Sequence, residues 1–150
     1  MCRNNVLTNT ISKLYLFCFL VIPLLTNSCT VQFVAQYDET IKNEIVRISG
    51  EVDKFYVELL ETKESERPYE NCKEKYVAIE VDLNMLLTKN EIRALNDESI
   101  KQNQIALKLW LDDKEQHKKN NNLSDATINI HRSQFKRIFV AMAKGEEAKR

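Results

Sequence analysis

The sequence predicts an all-α fold, an antiparallel up-and-down bundle of three to four helices after an N-terminal signal segment. Three observations lead there. The chain has 150 residues but only two Gly and two Pro, too few turn formers for a sandwich or barrel. Its apolar residues recur at alternating intervals of three and four, the spacing that lines one face of a helix. Its connecting segments are short and polar, which favours antiparallel neighbours.

The first element lies at the N-terminus. Residues 1–28 hold Arg3 and Lys13 and no acid, and "LYLFCFLVIPLL", Leu14 to Leu25, is uncharged. A basic start followed by an apolar middle is the layout of a secretory signal. Twelve residues is short for a membrane span, which needs about 20. Cys29 stands just after this run, behind the small or polar residues Thr26, Asn27 and Ser28.

Four helical segments are expected beyond a tether at residues 29–37. In the first, Ile41, Ile45, Ile48, Val52, Phe55 and Leu59 form one stripe, with Asp38 as N-cap and Gly50 off the stripe; a carboxylate at that position accepts from free N–H groups and opposes the helix dipole. The second starts at Pro68, whose missing N–H suits the first helical position, and carries Tyr69, Cys72, Tyr76, Ile79, Leu83 and Leu86. "TKNEIRAL" continues it, and Asn96 and Asp97 offer a turn or cap. The third, near 98–118, is less regular: Ile100, Leu107, Trp110 and Leu111 share a side, Ile105 and Leu109 widen it, and the amides Asn103 and Gln104 interrupt it. "KEQHKKNNNLSD" reads as a loop. Ser124 or Asp125 caps the fourth, with Ile128, His131, Phe135, Ile138 and Met142 as its stripe and Gly145 in the left-handed position that ends many helices. The bundle domain thus covers residues 38–145, and 146–150 read as a frayed tail.

Charge and motifs narrow the function classes. Acidic and basic residues balance at 22 each, which argues against nucleic acid, since that affinity rests on Lys and Arg neutralising phosphates. His117 and His131 are the only histidines, and neither has a His or Cys three or four residues away, so a zinc site is not expected. His131 reads as a hydrogen-bonded core or boundary histidine, and His117 as a cation among lysines near a helix end. Glu80 with Asp82, and Asp112 with Asp113, read as solvated. No Gly-rich phosphate loop, Gly-x-Ser-x-Gly elbow, HExxH or calcium loop occurs, so no catalytic residue, cofactor or metal is assigned. Phe55, Tyr56, Tyr69, Tyr76, Trp110, Phe135 and Phe139 read as core or as the lining of a small cavity, with Tyr56 and Phe139 half exposed. Cys72 reads as a buried, inert thiol.

"TNSC" resembles the lipobox of bacterial lipoproteins, with Leu25 four positions before the cysteine. The resemblance implies a signal peptide at 1–28, cut before Cys29, and a diacylglycerol on the Cys29 thiol. Thr30, which is not aspartate, implies the outer membrane. "SCTVQFVAQYDET", "VDLNML" and the closing "EEAKR" are similar to a group of small, uncharacterised Gram-negative lipoproteins, in which a lipidated cysteine precedes a Tyr-Asp pair, here Tyr37 and Asp38, and a compact helical domain. These readings imply a lipid-anchored, non-catalytic protein facing the periplasm, with an interaction or structural role in the cell envelope. Its partners would be the membrane, through the lipid, and an envelope protein. The alternative is a carrier that holds a small apolar ligand between helices.

Overall fold

The computed structural model describes residues 32–150; Cys29 and the expected signal lie outside them. Four helices of similar length form an antiparallel bundle: α1 (Glu39–Glu61), α2 (Tyr69–Glu91), α3 (Asp97–Asn120) and α4 (Asp125–Glu147). A single 3₁₀ turn, Glu64–Glu66, lies between α1 and α2. Contacts follow a ring, with α1 against α2 and α4, and α3 against α2 and α4. The fold is the predicted one. Among the described residues no helix is long and apolar enough to cross a membrane.

The two strict stripes are buried as read. Every named stripe residue of α1 and α2 faces the core. Asp38 caps α1 by accepting from the backbone N–H groups of Thr40 and Ile41 at 2.8 and 3.2 Å. Ser124 caps α4 through the Thr127 N–H. Pro68 stands at the cap itself, one residue before α2. Cys72 is buried and unpaired, and burial pushes its thiol pKa up, away from reactivity.

Several expectations are corrected. Tyr56 and Phe139, read as half exposed, are 0 % and 3 % exposed, and Phe139 takes the stripe position assigned to Ile138, stacking on Phe135. "KEQHKKN" is helix: α3 runs to Asn120 and ends on Asn121, whose φ of 52° supplies the left-handed stop. Amide side chains tolerate that conformation better than most. Gly145 does not act as a stop, since α4 continues to Glu147 and no glycine of the described chain has positive φ.

The tail is held as well. Glu146, at 1 % exposure, accepts from the Arg93 guanidinium at 2.8 and 3.1 Å, from Lys149 at 2.6 Å and from the Asp38 backbone N–H at 2.9 Å. A buried carboxylate with four donors is stabilised against its desolvation, and that cage carries α4 past Gly145. The tether is tied at the same end: Arg93 donates to the Gln36 carbonyl, and the Ala35 N–H donates to Leu95 O at 2.9 Å.

Candidate functional site

Titratable groups converge in the bundle interior, and α3 brings most of them. Its buried stripe is Asn103, Ala106, Trp110, Asp113 and His117, not the Ile100, Leu107 and Leu111 that hydrophobicity selects. Leu107 and Leu109 pack only partly against the core, and Ile105 is 58 % exposed. The reason is that α2, α1 and the α1–α2 connection offer hydrogen-bond partners at this spacing. Asn103 donates to Leu83 O at 3.1 Å, and the Trp110 indole donates to Tyr76 O at 3.0 Å. Leu83 O and Tyr76 O lie on α2, inside the core.

Asp113 and His117 continue that row. The Tyr56 hydroxyl donates to Asp113 Oδ2 at 2.7 Å, and His131 Nδ1 lies 2.9 Å from the same oxygen. The imidazole is not aligned for a hydrogen bond to it, and no other partner reaches Nδ1. Burial and the Asp113 carboxylate together hold the Tyr56 phenol well above its ordinary pKa. On the next turn, His117 Nε2 is 2.8 Å from the Arg67 carbonyl and its Nδ1 is 3.1 Å from the Tyr76 hydroxyl. A carbonyl can only accept, so Nε2 carries the proton and Nδ1 accepts from Tyr76. Burial lowers the His117 pKa, so the ring is held neutral.

Two expectations fall here. Asp113, read as solvated, is 3 % exposed, and His117, read as a cation among lysines near a helix end, is 0 % exposed. Asp112 is exposed, as expected, and pairs with Lys108. His131, read as a core or boundary histidine, is 8 % exposed. The sequence reading missed Arg67 altogether. Its guanidinium is buried and donates to Thr62 O, Leu123 O and Asp125, knitting the α1–α2 connection to the start of α4. Only its place between a polar turn and a proline marked it in the sequence.

The aromatic residues fill the core against one another. Phe55 lies 4.7, 5.1 and 5.3 Å by ring centroid from Tyr76, Tyr56 and Trp110, in the edge-on geometry aromatic pairs favour. Open space lies on the outer faces instead. A groove of about 610 Å³ between α1 and α4 passes over Gly50, with Asp53, Arg132 and Lys136 at its edge. A second, of about 520 Å³, runs along Val77, Val81 and Met85 of α2, and a third, of about 360 Å³, crosses Ile105, Leu109 and Ile138. None of these three is lined by Asp113, His117 or His131. Among the described residues no group of three or more His, Cys, Asp or Glu could hold a metal. No protein-family model, curated protein or solved structure matches the chain.

Proposed function

We propose that the protein is a lipid-anchored, non-catalytic helical bundle of the Gram-negative envelope, held through Cys29 and facing the periplasm from the outer membrane, where it engages an envelope protein. The single observation that carries this reading is Cys29 placed four residues beyond the end of the uncharged run Leu14 to Leu25. A diacylglycerol with two acyl chains makes a firm anchor, at about 0.8 kcal/mol for each buried CH₂. The interior is compatible with a non-catalytic role, because Asp113 and His117 are spent on hydrogen bonds to Tyr56, Tyr76 and the Arg67 carbonyl. The outer faces support an interaction role, because they carry exposed apolar side chains.

The test is the intact mass of the chain expressed in a Gram-negative host with a fatty-acid analogue. A mature chain beginning at Cys29 with added acyl mass is expected, and Cys29→Ala should lose both label and membrane retention. An unprocessed chain, or one cleaved without lipid, would overturn the proposal. A second reading, a carrier of a small apolar ligand, is favoured by the groove at Ile105, Leu109 and Ile138. Native mass spectrometry would show a retained small molecule if that reading holds, and a clean apo mass if it does not.

A further inference from the structure

Helix α2 has two opposite stripes. One, from Tyr69 to Asn90, is core. On the opposite side lie Glu70, Glu74, Val77, Val81, Met85, Thr88 and Ile92, which at 100° per residue share a single face. Val77, Val81 and Met85 are 46 %, 51 % and 50 % exposed, a continuous apolar row with a groove alongside it. Most solvent faces of bundle helices are polar, so this row needs an occupant.

Its spacing and its flanking charges fit one. Read from Glu70 to Ile92, the intervals are 4, 3, 4, 4, 3 and 4, identical in either direction about Val81. We infer that α2 pairs with α2 of a second copy of this chain, antiparallel, across a twofold axis at Val81. Such a contact is self-complementary: Val81 meets the partner subunit's Val81, and Val77 meets the partner subunit's Met85. Charges towards the ends of the row agree with this direction, and Glu80, which comes beside the partner subunit's Glu80 at the axis, is paired within its own chain with Lys114 at 2.8 Å. Glu74 comes beside the partner subunit's Lys89, and Lys73 beside the partner subunit's Glu91. Glu74 and Glu91 have no ion pair among the described residues, while Lys73 and Lys89 make only long ones, to Glu70 at 3.5 Å and Glu44 at 3.6 Å. Parallel pairing would instead set Glu74 against the partner subunit's Glu74. The helix dipoles also oppose favourably only when antiparallel.

One helix face is smaller than the roughly 1,200 Å² of a standard interface. The dimer is therefore concentration-dependent, and confinement to a surface would favour it. The pairing does not require acylation of Cys29, so failure of the anchor and failure of the dimer are separate results.

The experiment uses full-length chains in the envelope of a Gram-negative host, each carrying Val77→Cys, Val81→Cys or Met85→Cys, oxidised with copper phenanthroline beside wild type as the control for native cysteines. Val81→Cys should form a cross-linked dimer above the wild-type background. Val77→Cys and Met85→Cys should each fail alone and cross-link when co-expressed, because like positions then lie about 12 Å apart along the axis. In the Val81→Cys background, Glu74→Lys should weaken association about tenfold, and adding Lys89→Glu should restore it. No dimer through Val81→Cys, equal cross-linking of all three single variants, cross-linking only to a different protein, or no rescue by the second reversal would each overturn the inference.

Discussion

A single oxygen, Asp113 Oδ2, takes the Tyr56 hydroxyl and faces His131, and its removal shows what the polar row is worth. Asp113→Ala leaves a fully buried phenol without an acceptor, and an unmade buried hydrogen bond costs about 1–3 kcal/mol. Urea denaturation should show a loss of that size; an unchanged midpoint would mean that the Tyr56 hydroxyl finds another partner. The same scale explains why this residue was misread. Asp112 and Asp113 are adjacent and identical in type, and nothing local says which one faces inward. The partner that decides it, Tyr56, is 57 residues away.

At the scale of an element, α1 carries a removable defect. Gly50 lies in mid-helix, a Cβ built there meets nothing within 4 Å, and its φ is not positive. Alanine has a higher helix propensity and a less flexible unfolded chain, so Gly50→Ala should stabilise the fold by about 0.5–1 kcal/mol. A thermal melt of the two proteins checks this; a lower Tm would show that the groove over Gly50 needs the missing side chain. The α1–α2 connection behaves oppositely. Arg67→Ala strips donors from Thr62 O and Leu123 O, so a loss on the order of 3 kcal/mol is expected. Proteolysis should then cut first near residues 62–67, and an unaltered digestion pattern would deny Arg67 its role as a tie. The inner stripe of α2 was legible as spacing, whereas the outer one stands out only once the structure shows Val77, Val81 and Met85 exposed.

For the whole molecule, two buried clusters contribute to the response to pH. His117 is held neutral in the fold, with its pKa below the ordinary 6.5 by burial. The unfolded chain therefore binds the extra proton first, and stability is complete above about pH 6.5 and falls as the pH drops below it. For Glu146, burial pushes the carboxyl up, but hydrogen bonds from Arg93, Lys149 and the Asp38 N–H outweigh it, and the pKa is lowered from 4.5. Its contribution is present above that value and is lost as the pH falls through the lower, folded one. Thermal melts should thus decline in two stages, below pH 6.5 and again below 4.5. His117→Gln should remove the pH dependence of the first stage, and a first stage that survives this change would deny His117 that role.

The helix count, the two strict stripes, both side-chain caps and the buried thiol were all decided locally, because an alternation of three and four commits a segment to one face whatever it meets. Cys29 belongs to the same class: its meaning rests on the run before it, and it is argued from sequence alone. Tertiary structure decided the rest. The register of α3 turned on carbonyls and hydroxyls supplied by α1, α2 and the turn between them, where Asn103, Asp113 and His117 displaced leucines from the core. Glu146 and Arg67 became buried ties because groups more than 50 residues away in the chain met them. Hydrophobic periodicity is a property of neighbours in sequence, whereas satisfaction of a buried polar group belongs to neighbours in space.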